Sequence, residues 1–326
     1  MYFALLFPDS PRETAYSLKL AQDSERSLPQ PSAATTPASK SLPRSQAWKQ
    51  HIHEACVNLR MVGNVKPLSE ETLENILVDD KHKLLYCQIP KVASTTWRRM
   101  FLQLSGTLGN TDPFSISSND IHHKYDDNLV HLSDLPKEGR EMRLRDYFKF
   151  VYVREPFERI LSAYKNKFKS KLKSADYFRT RFGKRIAEQY RDPPLRSAND
   201  TDGGITFEEF VTYLVDFRKR IKMNEHWERF HKLCRPCLID YDFVGHLEQM
   251  SEDTQYILDS NFLSDSLKVP SRKESNYGHK ETSTFMKEYY SKLPRWAIRS
   301  LYQMYKADFI IFNYTIPAEV AAIMSV

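Results

Sequence analysis

The chain has 326 residues, 41% hydrophobic and 13% aromatic, which is enough apolar material for a sizeable core. Its 48 Lys and Arg against 42 Asp and Glu leave a net charge of +6. This modest excess excludes the dense basic block of a chromatin protein and suits an enzyme that handles an acidic cofactor or an acidic polymer. Four cysteines are too few for a disulfide-built mini-domain, and no apolar run approaches the ~20 residues of a membrane span.

In chain order, Met1–Phe7 is apolar but stops at Pro8-Asp9 and lacks a basic flank, so it reads as neither span nor secretory signal. Residues 1–47, rich in Ser, Pro, Thr and Ala, are expected to form a disordered stem or linker. Residues 48–80 read as a helical lead-in, with Ser69 capping a short helix through Leu73, Ile76 and Leu77. Residues 81–320 are the expected catalytic domain. It opens with a strand from Leu84 to Ile89, a turn at Pro90-Lys91, the hydroxyls Ser94, Thr95 and Thr96, and a helix with Trp97, Met100, Phe101 and Leu104 at helical spacing. Residues 105–145 are loop-rich and carry His122 and His123.

A second strand, Tyr147–Val153, stops at Arg154-Glu155-Pro156. A helix follows through Phe157, Ile160, Leu161, Tyr164 and Phe168. Lys165, Lys167, Lys169, Lys171 and Lys173 alternate, so they read as a solvated surface fanning around a helix, with a polyanion-facing edge as the alternative. Residues 174–204 look irregular. Thr206-Phe-Glu-Glu209 is a capping box opening a helix through Phe210, Tyr213, Leu214 and Phe217. Asn224-Glu-His-Trp227 falls in the loop after it, Cys237–Gly245 reads as a third strand, and helices are expected near Ser251–Leu258 and over 284–312. Strands alternating with helices indicate an α/β domain whose parallel sheet is flanked by helices.

Two strand-to-helix turns carry the chemistry. Lys91 with Ser94, Thr95 and Thr96 sits at one helix N-terminus, where unpaired backbone N–H groups and the helix dipole favour an anion. Arg154, Arg159 and Ser162 belong to the other, and Arg grips phosphate bidentately. In a parallel sheet both turns emerge at the same edge, so the ligand should bear two separated anionic groups. A P-loop triphosphatase or kinase needs G-x-x-x-x-G-K-[ST], and no glycine lies between Lys81 and Ser105. Cys234-Arg-Pro-Cys237 lacks the second pair of a zinc site and the helix of a redox motif, so it reads as a structural disulfide in an oxidising compartment. The sequons at Asn199 and Asn313 lean the same way.

Pro90-Lys-Val-Ala-Ser-Thr-Thr-Trp97 resembles the 5′-phosphosulfate loop of Golgi carbohydrate sulfotransferases, and Arg154-Glu-Pro-Phe-Glu-Arg-Ile-Leu-Ser162 resembles their 3′-phosphate motif. Thr206–Phe210, Asn224–Trp227, Cys234–Cys237, Tyr241–Gly245 and Phe312–Pro317 look like the chondroitin/dermatan 4-O-sulfotransferase branch. The resemblance implies 3′-phosphoadenosine 5′-phosphosulfate as co-substrate, no metal, and sulfation of a sugar hydroxyl such as position 4 of N-acetylgalactosamine in a glycosaminoglycan. It implies cofactor binding by Pro90, Lys91, Val92, Ala93, Ser94, Thr95, Thr96, Arg154 and Ser162, with Arg159 either joining them or pairing with nearby acids. Lys91 would act catalytically on the leaving phosphate. His226, ahead of His122 and His123, would be the general base, with Trp227 as an aromatic platform for a sugar. Ser94 and Thr96 stand where the family usually has Cys and Asn, and both keep hydrogen-bonding capacity. Trp97 is expected to anchor its helix in the core, and Arg98 and Arg99 to be solvated or to face an acidic polysaccharide.

The expected partner is an acidic glycosaminoglycan or glycoprotein glycan, with no nucleic acid. A silent glycan-binding relative is the competing class. The implied location is the Golgi lumen, held by a type II span ahead of the stem. That span is not written in the chain, which reads as a truncated or mispredicted N-terminus, with a soluble protein as the alternative.

Overall fold

A computed structural model describes residues 44–62, 67–191, 204–216, 222–264, 266–267 and 282–325. The stem expected over 1–47 lies outside these residues up to position 43. Residues 42–326 form one compact unit.

The chain enters through α1 (Arg44–Asn58), which packs on the sheet end formed by the last strand. A five-residue helix, Glu70–Glu74, follows, capped by the Ser69 hydroxyl accepting from the Thr72 amide. It ends sooner than the spacing suggested. Ile76 and Leu77 are not its last apolar positions but the start of β1 (Ile76–Asp79), every residue of which is buried. β2 (Leu84–Cys87) turns back antiparallel to β1. α2 (Ser94–Leu104) then leads through short helices to β3 (Val130–His131), which pairs antiparallel with β1. β4 (Phe148–Val153) lies parallel to β2, and α3 (Pro156–Tyr164) leaves its end. After α4 (Phe207–Val215), β5 (Phe243–His246) adds in parallel to β4, followed by α5 (Met250–Ser260) and α6 (Arg295–Ile311).

The strand order is β3-β1-β2-β4-β5. The sheet is therefore mixed, not parallel throughout. β2, β4 and β5 form the parallel core, and β1 with β3 adds an antiparallel flank. Close approach of β4 to β5 depends on one residue. A Cβ at Gly245 would sit 2.6 Å from the Tyr152 ring opposite it. The third strand is shorter than Cys237–Gly245, because residues 236–241 turn instead of extending. Of the stretch 174–204 expected to be irregular, residues 174–190 are helical, with a π-helical turn at Arg179–Gly183. The capping box at Thr206 and Glu209 forms as expected, and Phe217 lies outside the described residues.

Side chains sort into two apolar cores. One surrounds the sheet: Trp97 is 1% exposed and its ring meets Phe150 at 4.5 Å and Tyr152 at 5.6 Å. Trp97 is thus the core anchor of α2. The other core joins α3, α4 and α6 through Phe157, Tyr164, Phe210, Tyr305 and Phe309. Cys234 and Cys237 do not pair with each other. Cys87 at the end of β2 bonds to Cys234, and Cys56 of α1 bonds to Cys237, so the two nested bridges tie entry helix, central strand and the turn before β5 together. Among the described residues no helix is long and apolar enough to cross a membrane.

Candidate active site

The register sets Cys87 beside Val151, so β2 and β4 deliver their two turns side by side at one sheet edge. The first turn is strained. Lys91 has φ 74° and Ala93 φ 68°, left-handed values that cost a side-chain-bearing residue about 1 kcal/mol or more each. Two guanidinium groups from α3 and its approach hold that shape. Arg159 donates from Nε to the Pro90 carbonyl at 3.0 Å, and Arg154 donates from Nη1 to the Lys91 carbonyl at 3.4 Å. With these carbonyls drawn toward β4, the turn becomes the kind of backbone concavity that accepts anions. α2 begins at its rim, with no side-chain cap on Ala93 and no acid in its first turn, in contrast to the capped helices at Ser69, Glu155 and Thr206. An uncapped, non-acidic helix N-terminus receiving a strained turn is built for negative charge.

The electrostatics say the same. Lys91 is pushed down to about 7, by loss of water first and then by Lys167, Arg154 and Arg159. Four cations converge here, with Glu225 acting electrostatically on both Lys167 and Arg159. Arg154 pairs with Glu158 at 3.1 Å, and Glu155 beside it is a buried carboxyl pushed up to about 8, mainly by desolvation. Such a site is satisfied by an incoming polyanion, and the residues present fit a two-ended phosphorylated donor.

Arg159 lies 1% exposed, and each of its nitrogens donates to a backbone carbonyl: Pro90 at 3.0 Å, Glu228 at 2.6 Å and Glu225 at 2.8 Å. Its plane also covers the Phe230 ring at 4.6 Å. It pairs with carbonyls and not with acids, and it bolts the Lys91 turn to the turn carrying His226. Ser162 is half-buried in α3, eight residues beyond Arg154. Thr95 faces His122, Oγ1 to Nε2 at 2.9 Å, whereas Thr96 is buried and Ser94 half-buried. His123, on the same short helix as His122, is exposed.

His226 stands on the other side. Its Nδ1 faces two oxygen acceptors, Asn224 Oδ1 at 2.8 Å and Glu225 Oε1 at 2.9 Å. The ring proton therefore sits on Nδ1, which leaves the Nε2 lone pair free to take a proton. Burial, then Lys167 and Lys91, hold the ring down at about 4 despite the opposing pull of Glu225, so it is neutral near pH 7. Its ring rests on Phe178, centroids 5.1 Å apart. Lys167, over the same Phe178 ring at 4.3 Å, is the cation felt by Lys91, His122 and His226 alike.

Two expectations need correction. Trp227 is fully buried among Phe168, Phe182 and Phe210, so it is core and not a sugar platform. Arg98 and Arg99 are buried as well. Arg98 reaches Gln88 and Asp126, and Arg99 reaches the Ile116 carbonyl and Ser118, so both fasten α2 to the excursion that follows it. The sequence assigns no site role to Glu225 and Asn224, and it names Lys167 only within the basic run read as a solvated surface or a polyanion-facing edge. The only signal for the first two was adjacency to His226, and Lys167 was hidden in an alternating run.

An anion cradle tied through Arg159 to the turn of a neutral proton acceptor describes a group-transfer enzyme with an anionic donor. The sequence profile of the sulfotransferase family matches residues 74–315. Carbohydrate sulfotransferase 11 of Mus musculus is 35% identical over 275 residues, 83% of this chain and 76% of its own length. Carbohydrate sulfotransferase 14 of Danio rerio is 38% identical over 257 residues, 78% of this chain and 66% of its own. Carbohydrate sulfotransferase 9 of Homo sapiens is 34% identical over 292 residues, 86% and 64% respectively. No solved structure matches the chain significantly. The chain belongs to the sulfotransferase family and is a sulfotransferase.

Proposed function

We propose that the enzyme transfers a sulfuryl group from 3′-phosphoadenosine 5′-phosphosulfate to a sugar hydroxyl, at position 4 of N-acetylgalactosamine in a chondroitin- or dermatan-type glycosaminoglycan. The observation that carries this reading is the convergence of Lys91, Arg154, Arg159 and Lys167 on a strained turn and an uncapped helix N-terminus, opposite neutral His226. The carbohydrate sulfotransferases it resembles support the sugar as acceptor.

When bound, the donor supplies an activated sulfuryl group whose loss leaves charge on a phosphate oxygen. In this P-loop-like cradle without a Walker A motif, Lys91 with the α2 amides, Ser94, Thr95 and Thr96 holds that phosphate. Residues 90–93 supply the backbone of the turn. Arg154 and Ser162 hold the second phosphate, for which Arg154 exchanges Glu158. Arg159 keeps the two turns in register, so its role in the cofactor site is to shape it. His226 takes the acceptor hydroxyl proton on Nε2, and Glu225 and Asn224 keep the opposite proton on Nδ1. The two disulfides fit a lumenal, oxidising compartment such as the Golgi.

Radiolabelled sulfate transfer to desulfated chondroitin and dermatan, with disaccharide analysis of the product, tests the reading. Wild type should label the 4-position of N-acetylgalactosamine. Lys91→Ala should abolish transfer, and His226→Gln should cut turnover by about 10²-fold or more while donor binding persists. Because His226 is held near 4, turnover should not fall through the ordinary histidine range around pH 6.5. Equal turnover by wild type and Lys91→Ala would falsify the assignment.

A further inference from the structure

From Lys165 to Arg185 the chain carries nine Lys and Arg and a single acid, Asp176, so this stretch alone holds +8 while the whole chain holds +6. The remainder of the protein is slightly negative. The basic character that composition spreads over the molecule is concentrated in one arm, and the arm is placed at the site. It starts where α3 ends, and its Lys167 acts electrostatically on Lys91, His122 and His226. Further along, Phe178 supports the His226 ring and Phe182 packs on Trp227 at 5.1 Å. Asp176 is itself engaged by Arg179. Lys169, Lys171, Lys173, Arg181, Lys184 and Arg185 are exposed. Among them Tyr177 presents a ring that is 56% exposed, with Arg181 at 5.8 Å from its centre. Two π-helical turns, Lys165–Lys169 and Arg179–Gly183, interrupt the arm, so its cations do not follow one regular helical surface.

Like charges at this density repel one another, and an ordinary solvated surface intersperses acids among them. Exposed cations flanking an exposed ring offer charge to a carboxylate or sulfate and a flat apolar face to a sugar. Resting on the glycan-acceptor reading above, we propose that Lys165–Arg185 is a track for a polyanionic glycan. The anionic units flanking the acceptor sugar lie on it, outside the site of transfer, while the acceptor hydroxyl reaches His226.

The test uses the full chain, wild type and the triple variant Lys171→Gln, Lys173→Gln, Lys184→Gln. Two acceptors are compared, desulfated chondroitin and the same polymer with its carboxylates reduced to alcohols. On the acidic polymer the variant should show a KM raised roughly ten-fold with unchanged kcat, and a shallower dependence of KM on salt. On the neutral polymer the two proteins should be equal, and affinity for 3′-phosphoadenosine 5′-phosphate should not differ. An unchanged KM on the acidic polymer, or an equal loss on the neutral one, overturns the track. Anisotropy of fluorescently labelled desulfated chondroitin separates the two readings. If wild type binds the polymer without transferring sulfate and the variant binds less, the track stands and the acceptor assignment fails.

Discussion

Lys91 is a lysine whose charge depends on what it holds. In the free enzyme burial of the half-buried ammonium, with Lys167, Arg154 and Arg159 nearby, pushes its titration down to about 7. An ordinary lysine titrates near 10.5. A bound phosphate reverses the balance and draws the value back up. Between the two values the complex holds a proton that the free enzyme lacks, so binding takes up protons above pH 7 and affinity falls as pH rises. His226 and His122 are held near 4 and stay neutral throughout that window, whereas the Glu155 carboxyl, pushed up to about 8 mainly by desolvation, titrates within it, so Lys91 is read from the difference between wild type and a variant that keeps Glu155. Calorimetric titration with 3′-phosphoadenosine 5′-phosphate at pH 8 to 9, in two buffers of different ionisation enthalpy, should show an uptake approaching one proton. The association constant should drop by up to about ten-fold per pH unit. Lys91→Arg, which stays charged, should bind with a smaller uptake, lacking the share that belongs to Lys91 and keeping only that of Glu155. The same uptake by both proteins would sink the argument. His226 shows the complementary logic: its usefulness as a base comes from being kept neutral, with Glu225 choosing which nitrogen carries the proton.

At the scale of elements, three separate segments must arrive together, and Arg159 is the joint. It grows from α3, grips the Pro90 carbonyl of the turn after β2, and grips Glu225 and Glu228 in the turn before Phe230. Lysine keeps the charge but not the fork, so Arg159→Lys leaves at least one buried carbonyl without its donor. A loss of about 2–4 kcal/mol in denaturant unfolding is expected. KM for donor and KM for acceptor should rise together, because both turns loosen. A variant with wild-type stability, or with only one KM altered, would show that the turns are positioned by something else. Sequence could place the two strand-to-helix turns, because Leu84–Cys87 and Phe148–Val153 are apolar runs cut by proline-containing turns. It could not place β1, since Ile76-Leu77-Val78 directly follows a capped helical start and continues its apolar spacing. Nor could it separate ligand from strut in Arg154 and Arg159. That difference lies in which carbonyls the fold brings near. The helices of 173–190 were masked for a related reason, their apolar positions being few and set among cations.

At the scale of the molecule, the site depends on covalent ties that no local pattern reveals. A C-x-x-C spacing suits a bond between its own two cysteines, but here each reaches back more than a hundred residues, Cys234 to Cys87 and Cys237 to Cys56. In the chain-entropy picture either bridge alone constrains the unfolded chain by about 5 kcal/mol, and the second adds about 4, because with the first in place the covalent circuit shrinks to on the order of 35 residues. Together this approaches the whole stability of an ordinary domain. Reduction should therefore unfold the enzyme or lower its melting temperature by more than about 15 °C. The two bridges should also differ in function. Cys87 is the last residue of β2, and the strained Lys91 turn follows at once, so Cys87→Ser with Cys234→Ser should weaken 3′-phosphoadenosine 5′-phosphate binding as well as stability. Cys56→Ser with Cys237→Ser releases α1, which is also held by Lys49 pairing with Asp240 and Asp242, and should lower stability while donor affinity stays the same. Melting curves and donor titrations of the two pairs distinguish these outcomes. Equal loss of donor affinity in both would mean that the turn is held by the fold as a whole and not by the strand that feeds it.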